Sequence, residues 1–373
     1  MKQVKPISGS KDLKNFIDFP HDLYKNDPNY VPELFIAQRD LLTPGKNPFH
    51  NHSKVQLFLA YDDGKIIGRI AAILNRNHNE FNHANDGFFG FFDCINDAET
   101  ASLLTGAVTS WLREQGAETC IGPVNFSTNE TCGLLIQGFE LPPMAMMPYN
   151  SPYYLTLLEG AGFRKKVDLF AYYVSYDKHN DRSVRLLATL QERLKRNNIV
   201  IRTINMKNFK QDVERVRELY NSAWDKNLGF VPMTNEEFDH MAKDLKLILN
   251  PDFCLIAEQE GKVVGMALGI PNINQILIKI KRGRLLPFGI FKLLTGMKKI
   301  NELRVLLLGV NEGYRKLGIE ACLYGMIIKN ALTHNIKGAE CSWMLEDNHL
   351  MNKAIEQING ELYKKYRILE KSI

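Results

Sequence analysis

The chain has 373 residues, more than one hydrophobic core usually covers, so its length predicts two domains. Hydrophobic residues make up 45% and charged residues 24% of the sequence, fractions typical of an ordinary folded protein that exclude wholesale disorder. The formal net charge of +5 is only mildly basic, so no nucleic-acid partner is expected.

The sequence predicts a cytoplasmic protein. No run of about eighteen apolar residues occurs, so no transmembrane segment is expected, and the first residues lack the apolar core of a signal peptide. The six cysteines are scattered singly, mostly in apolar runs. We therefore expect buried cysteines in a reducing compartment, with neither a metal site nor a disulfide framework.

The first half of the chain begins its regular pattern with a hairpin. The segment LFLAYDDGKIIGRIAAI, from Leu57, reads as two apolar strands joined by a polar turn that ends in Gly-Lys. A strand is predicted from Asp86, followed by a helix with Asn96 or Asp97 as N-cap and Gly116 as its C-terminal stop. The remaining segments predict a strand, a short helix and a strand: AETCIGPVNF, SPYYLTLLEGAGF and VDLFAYYVSY.

The second half repeats this order. The segment CLIAEQEGKVVGMALGI, from Cys254, aligns with the first hairpin without gaps, so that Gly64 meets Gly261 and Gly68 meets Gly265. The following segments predict strand, helix, strand, helix and strand: LRVLLLGV, IEACLYGMIIKNALTHN, GAECSWML, NHLMNKAIEQING and LYKKYRILEK. Repetition at a spacing of about two hundred residues indicates domain duplication rather than a solenoid.

The repeat places the domain boundaries. We predict an N-terminal domain over residues 1–176 and a C-terminal domain over residues 202–373. Residues 177–201 are polar and helix-like, and form either a linker helix or the first helix of the second domain. Residues 272–302 have no counterpart in the first half and are predicted to be an insertion.

The order of hairpin, strand, helix, strand, helix and strand resembles the GNAT superfamily of N-acetyltransferases. The whole chain also resembles a widespread group of bacterial two-domain GNAT-like proteins, in the segments KNPFHNHSKVQLFLA, GFFGFFD, AWDKNLGFVPM and SWMLEDNHLMNKAIE. The resemblance implies an α/β (α+β) fold with two GNAT-type domains, each a mixed twisted sheet flanked by helices. It implies acetyl-CoA or another acyl-CoA as co-substrate, and a small-molecule or peptide amine as acceptor.

The resemblance places an acyl-CoA-binding loop in the second half. The family carries Gln or Arg, two residues, Gly, one residue, and then Gly or Ala. The matching residues and the one that follows them are Arg315, Lys316, Leu317, Gly318, Ile319, Glu320 and Ala321. A turn that enters a helix N-terminus presents backbone N–H groups to a pyrophosphate. Glu320 departs from the family pattern, because a carboxylate beside a pyrophosphate is repulsive. The alternative is a strand-to-helix turn without a CoA site.

Further cofactor contacts are implied by the same resemblance. Asn348 occupies the place of an asparagine that contacts the pantetheine arm, and strand amides from Leu308 to Val310 would hold the thioester oxygen. Glu356 stands where many members carry the tyrosine that protonates the leaving thiolate. Glu356 is therefore the candidate catalytic acid, a role that would require its burial. The alternative is a solvated helix face.

Two segments carry candidate acceptor-binding residues. The first lies where GNAT proteins form the acceptor-side wall, and its candidates are Trp224, Asn227, Phe230 and Met233. The second is a loop of the first half that is rich in Gly, Pro and Asn, and its candidates are Asn125, Ser127, Asn129 and Glu130. Core packing is the alternative for the first set, and an ordered interface loop for the second. No conventional CoA site is expected in the first half, because its loop CINDAETASLL lacks glycine and carries two acids.

The insertion is basic and apolar. Residues 275–299 contain seven basic residues and no acidic residue, interleaved with apolar side chains. This pattern is typical of peripheral contact with an anionic membrane. It equally suits a flap over the acyl or acceptor mouth of the second domain, or a helical hairpin that buries its apolar side on its own domain.

Three functions stay open at this point. The first is acyl transfer from acyl-CoA to an amine, with the second domain carrying the CoA site. The second is aminoacyl transfer from charged tRNA, since tandem GNAT-like domains also occur in the Fem-type enzymes. The third is a non-catalytic GNAT-fold binding protein, which Glu320 and the missing tyrosine favour. No oligomeric state is predicted.

Overall fold

The structure is a computed structural model that describes residues 1–178, 182–223 and 230–373. The elements of the first half, in chain order, are β1 (Gln3–Pro6), α1 (Gly9–Leu23), α2 (Phe35–Leu42), β2 (Ser53–Asp62), β3 (Lys65–Asn75), α3 (Arg76–Asn82), β4 (Asp86–Cys94), α4 (Ala98–Glu114), β5 (Thr119–Gly122), β6 (Leu134–Gln137), α5 (Tyr154–Gly160) and β7 (Arg164–Ser175). Those of the second half are α6 (Arg182–Arg196), β8 (Ile199–Thr203), α7 (Phe209–Ala223), α8 (Asn235–Leu245), β9 (Cys254–Gln259), β10 (Lys262–Pro271), α9 (Asn274–Leu277), α10 (Gly289–Gly296), β11 (Glu302–Val310), α11 (Ile319–Thr333), β12 (Gly338–Leu345), α12 (His349–Glu356) and β13 (Glu361–Ser372).

Both copies of the repeated segment form antiparallel hairpins, β2–β3 and β9–β10. The turn of the first has φ values of 45° at Asp63 and 82° at Gly64. The turn of the second has 49° at Glu260 and 81° at Gly261. Two central residues with positive φ define a type I′ turn, whose twist matches that of the flanking strands. The two predicted hairpins are therefore confirmed and share one turn geometry.

The chain forms two compact units that do not follow chain order. Unit 1 consists of Met1–Leu169, Asn274–Lys298 and Lys364–Ile373. Unit 2 consists of Phe170–Ile273 and Lys299–Tyr363. The domain boundaries at residues 176 and 202 were predicted from the duplication and stay predictions. By their contacts, most of the insertion and the end of β13 belong to unit 1.

In unit 1 the strands follow the order β1-β2-β3-β4-β5-β13. Strands β4 and β5 are parallel, and the other neighbours are antiparallel. Helix α4 begins after Asp97, whose carboxylate accepts a hydrogen bond from the Thr100 N–H at 2.7 Å, as predicted for the N-cap. Leu104, Val108 and Leu112 recur at four-residue spacing and are buried in the core of the unit.

In unit 2 the order is β8-β9-β10-β11-β12, again with one parallel pair, β11–β12. Helix α11 buries Ile319, Leu323 and Ile327 against the sheet, and α6 packs beside it. Each unit is thus a mixed sheet flanked by helices, which confirms the predicted fold class.

Two further observations concern the environment of the chain. No helix in residues 1–178, 182–223 and 230–373 combines the length and the hydropathy needed to span a bilayer. All six cysteines are buried, as the apolar runs around them predicted.

Candidate active site

Strands β11 and β12 begin side by side and then separate. Their parallel register joins residues 302–305 to residues 338–341. In the part of the chain that the structure describes, no register pair joins residues 306–310 to β12. The parts of β11 and β12 that do not pair with each other are only partly buried, at residues 306–309 and 343–345. The sheet therefore opens into a cleft between the carboxyl ends of two neighbouring strands.

A β-bulge in β11 coincides with the start of this cleft. On the side of β10, Leu268 pairs with Leu307 whereas Gly269 pairs with Val305, so Leu306 is the extra residue. A bulge bends its strand. Because it adds one residue, each N–H group beyond it faces the opposite edge of the strand from the one that it would otherwise face.

The bulge turns backbone donors toward the cleft. Beyond it, the Asn311 N–H donates to the Val264 carbonyl of β10 at 2.9 Å. Successive N–H groups of a strand alternate between its two edges. The N–H groups of Leu308 and Val310 therefore point away from β10, toward the side on which β12 has separated.

The N-terminus of α11 lies directly after the loop that follows β11. Gly318 caps the helix with a φ of 93°, and a Cβ atom there would lie 3.2 Å from Leu190 Cδ2. The backbone conformation favours glycine at this position, and the close approach of α6 leaves little room for a side chain. The first N–H groups of a helix have no partner within the helix, and here Arg315 and Lys316 lie exposed just before them. This combination of donors, dipole and cations suits a phosphate group.

Glu320 already places a carboxylate at this helix terminus. Its side chain accepts a hydrogen bond from its own backbone N–H and lies near Arg315. Burial nevertheless raises the pKa of Glu320 above its usual value, because desolvation of the half-buried carboxylate outweighs those two contacts. The acid that departs from the family pattern therefore occupies part of the predicted anion site.

The predicted residues of α12 lie at its two ends. Asn348 is the N-cap, and its side-chain oxygen accepts from the Met351 N–H at 3.3 Å. Glu356 is the last residue of the helix, is exposed, and accepts a hydrogen bond from the Tyr172 hydroxyl. The burial that an acid role would require of Glu356 is not present.

A buried polar network, which sequence reasoning missed, lies where β11 and β12 separate. Arg304 Nε donates to Ser342 Oγ at 3.0 Å, and Ser342 Oγ donates to Glu340 Oε1 at 2.6 Å. Arg304 Nε also lies 3.6 Å from Glu340 Oε1, and both side chains are fully buried. The Tyr363 hydroxyl donates to the other carboxylate oxygen, and the Arg304 guanidinium lies 4.8 Å from the centre of the Trp343 ring. The network fixes both strands at the apex of the cleft.

A signal for this network was present in the sequence. Each strand carries one charged residue within its apolar run, Arg304 in LRVLLLGV and Glu340 in GAECSWML. Charged side chains inside apolar strands are seldom buried unless they are paired.

The acceptor-wall candidates that the structure describes are core residues. Phe230 and Met233 are buried, and the Phe230 ring packs 6.1 Å from the Tyr220 ring of α7. This position supports the core-packing alternative for both residues. Trp224 and Asn227 lie outside the described residues.

In unit 1, the position that corresponds to the cleft of unit 2 is filled by a loop of the same unit. Strand β4 pairs with β5 over residues 86–88 and 119–121 and then bulges at Phe91, which has a φ of 51°. The Phe91 N–H donates to Asn125 Oδ1 at 2.8 Å, and the Val124 N–H donates to the Phe89 carbonyl at 2.8 Å. A Cβ atom on Gly90 would lie 2.3 Å from the Val124 carbonyl oxygen. A loop of the first half therefore occupies this position, and the absence of a conventional CoA site there stays a prediction.

The polar candidates of this loop make hydrogen bonds within it. Asn125 Nδ2 donates to Thr131 Oγ1 at 2.7 Å. Ser127 Oγ accepts from the Asn129 N–H at 3.2 Å, and the Ser127 carbonyl accepts from the Glu130 N–H at 3.1 Å. Acceptor binding by Asn125, Ser127, Asn129 and Glu130 stays a prediction, whereas a role in shaping the loop is visible.

Comparison with known proteins places the chain in a family. No family model matches it. It is 37% identical over 377 residues to Protein YghO of Escherichia coli (strain K12), covering 99% of this chain and 95% of that protein. It is 34% identical over 380 residues to the bacterial ceramide synthase of Caulobacter vibrioides (strain NA1000 / CB15N), covering 99% and 97%. Among solved structures, a tandem GNAT protein from the clavulanic acid biosynthesis pathway matches with a TM-score of 0.59, at 11% identity, covering 100% of this chain and 98% of that one. The chain therefore belongs to the bacterial family that includes Protein YghO and this ceramide synthase, and its fold is that of a tandem GNAT protein.

Proposed function

We propose that the protein is an N-acyltransferase that moves a fatty acyl group from acyl-CoA to the amine of a long-chain amino alcohol. The observation that carries the proposal is the cleft of unit 2, where β11 and β12 separate beside the N-terminus of α11. A ceramide is the amide of a fatty acid and a long-chain amino alcohol, and one relative of this chain is named for its synthesis.

Each part of acyl-CoA has a matching part of unit 2. The pyrophosphate would lie at the first turn of α11, near Arg315 and Lys316. The pantetheine arm would extend along the cleft toward Asn348. The thioester oxygen would accept hydrogen bonds from the N–H groups of Leu308 and Val310, which face the cleft.

The walls of the cleft favour a long acyl chain over an acetyl group. The strand ends beside it carry partly exposed apolar side chains, namely Leu306, Leu307, Trp343 and Leu345, while Leu308 and Met344 pack against the core of the unit. Covering such surface with hydrocarbon stabilises a complex by about 25 cal/mol per Å² removed from water. A two-carbon acyl group would cover little of it.

The reaction is a direct transfer between two bound substrates. The neutral amine nitrogen attacks the thioester carbon and forms the C–N bond, while negative charge develops on the carbonyl oxygen. The C–S bond then breaks, the nitrogen loses a proton and the thiolate gains one. The products are an amide and CoA with a free thiol. Preorganised N–H groups lower the barrier because they stabilise the charge that develops on oxygen.

The test uses the purified protein with palmitoyl-CoA and sphinganine. Mass spectrometry should detect the N-acyl product, and a thiol reagent should report an equal amount of free CoA. Acetyl-CoA, or a short-chain amino alcohol, should react far more slowly.

A double variant tests whether acyl-CoA binds at the N-terminus of α11. Arg315→Ala with Lys316→Ala should raise the KM for palmitoyl-CoA about tenfold, because two cations beside the phosphates are lost. Lys329→Ala, an exposed lysine near the other end of α11, is the matched control and should leave KM unchanged. The proposal is overturned if neither amide nor free thiol forms, and no acyl-CoA raises the melting temperature. That result would favour the non-catalytic alternative.

A further inference from the structure

Five large apolar side chains of unit 1 are exposed within one short segment. They lie between residues 286 and 294, on α10 and the turn before it, and we call them the apolar patch. Its members are Leu286, Phe288, Ile290, Phe291 and Leu294, with 78%, 72%, 38%, 64% and 67% of their surface exposed. Apolar surface of this extent on a folded protein usually marks an interaction site.

The segment that carries the patch already has a buried side. Ile276, Leu277 and Ile280 are buried, and they anchor the start of the segment in the core. Arg284 donates to both carboxylate oxygens of Asp18, at 2.8 and 2.9 Å, and its guanidinium lies 3.4 Å from the centre of the Phe35 ring. The patch is therefore a second face, held outward by a segment that is fixed to α1 and α2.

The segment that carries the patch is also rich in positive charge. Arg282 and Arg284 are paired with acids of α1, Arg282 with Asp22 at 2.5 Å. Four exposed lysines of the segment belong to unit 1, namely Lys279, Lys281, Lys292 and Lys298. Residues 275–299 contain no acidic residue. The segment thus exposes apolar and cationic side chains together and carries no acidic residue.

We propose that the apolar patch docks the protein on the surface of an anionic phospholipid membrane. The apolar side chains would enter below the headgroups, and the lysines would contact lipid phosphates. Helix α10 has eight residues and is about 12 Å long, so it lies along the interface and does not cross it. A second copy of the chain is a poorer occupant, because two patches face to face would bring like charges together.

The first test measures flotation of the full-length protein with vesicles. Vesicles that contain phosphatidylglycerol should carry the protein upward at low salt, and pure phosphatidylcholine vesicles should carry much less. Raising the salt concentration to 0.5 M should weaken the binding, because surface charges are then screened. The vesicles contain neither acyl-CoA nor an amine acceptor, so the outcome is independent of the proposed reaction.

Three variants separate the contributions of the patch and the charges. Phe288→Ser with Phe291→Ser should lower the partition coefficient at least about tenfold. Lys279→Gln with Lys281→Gln and Lys292→Gln should also lower it about tenfold or more, and only for the anionic vesicles. Leu247→Ser with Leu350→Ser removes two apolar side chains outside the patch that are even more exposed, at 79% and 85%, and should change nothing. An unchanged melting temperature shows that each variant is folded.

The proposal is overturned if the wild-type protein does not float, or if the phenylalanine variant floats as well as the wild type. It is also overturned if the control variant loses binding equally. If the wild-type protein instead forms a concentration-dependent dimer in sedimentation, and the phenylalanine variant stays monomeric, a second copy is the occupant.

Discussion

The side-chain oxygen of Asn125 accepts a hydrogen bond from the backbone N–H of Phe91 at 2.8 Å, at the bulge of β4. In the second half, the corresponding strand bulges at Leu306, and beyond the bulge its Leu308 and Val310 N–H groups face a cleft. The two halves therefore differ beyond the bulge. In the first half a loop fills this position, and in the second half the position stays partly exposed. This difference between the halves is the basis of the first prediction.

Asn125→Ala should lower the free energy of unfolding by about 1–3 kcal/mol, because the Phe91 N–H loses its acceptor in a packed loop. It should leave the affinity for acyl-CoA unchanged, since the proposed site lies in unit 2. Urea unfolding measures the first effect and calorimetric titration the second. Ser127→Ala in the same loop is the control for a small local change. A tenfold loss of affinity in a folded Asn125→Ala variant would place the cofactor in unit 1.

Glu320→Gln should tighten acyl-CoA binding about five- to tenfold, because it removes a carboxylate from the N-terminus of α11 without changing its size. In the wild type, burial raises the pKa of Glu320, so the carboxyl is neutral below that pKa and charged above it. Affinity should therefore fall as pH rises through this pKa, and the glutamine variant should lack that step. Glu312→Gln, at an exposed position of the same loop, is the control. Equal affinity in all three proteins would show that Glu320 does not face the phosphates.

Arg304 and Glu340 should show strong coupling in a double-mutant cycle. Removing either side chain leaves the charge of the other buried and uncompensated. Arg304→Met and Glu340→Leu should each cost about 3–5 kcal/mol of stability. The double variant should cost much less than their sum. Urea unfolding of the four proteins measures the coupling, and additive costs would contradict a direct pair.

His21 should make the protein less stable as pH falls. Burial lowers the pKa of His21 from 6.5 to about 4, with Arg69 acting in the same direction. Its Nδ1 lies 3.0 Å from the Tyr30 hydroxyl, and its Nε2 has no hydrogen-bond partner among the described residues. The unfolded chain therefore binds the proton more tightly, so stability is fully present above about pH 6.5 and is lost toward pH 4.

The expected loss is about 2–3 kcal/mol between those two pH values. The measurement is the difference in melting temperature between wild type and His21→Gln, followed from pH 7 to pH 4. This difference separates the contribution of His21 from those of other titrating groups. If the difference does not vary with pH, the folded protein tolerates the protonated ring.

Local patterns predicted most of the elements. Neighbouring residues encode the turns at Gly64 and Gly261, the Asp97 cap and the strand GAECSWML. The structure has each of these features where the sequence predicts it. Turn and cap chemistry depends on a few adjacent side chains, which a sequence displays directly.

Long-range partners were not predictable in the same way. The pairing of β13 with β5, which brings Leu369 opposite Gly122, joins residues that are far apart in the chain. The apolar pattern of LYKKYRILEK indicates a strand and contains no information about its neighbour. The Asn125 contact with Phe91 and the Arg304 network likewise depend on which backbone groups the fold brings together.

The most direct test of the proposed cofactor site is amide hydrogen exchange, with and without a non-reactive palmitoyl-CoA analogue. The first-turn N–H groups of Ile319 and Ala321 have no backbone partner within α11 and should exchange quickly in the free protein. The analogue should slow exchange at these N–H groups and at Leu308 and Val310, with no change in β4 or α4. Protection confined to residues 88–100 of unit 1, or no protection anywhere, would contradict the proposed site.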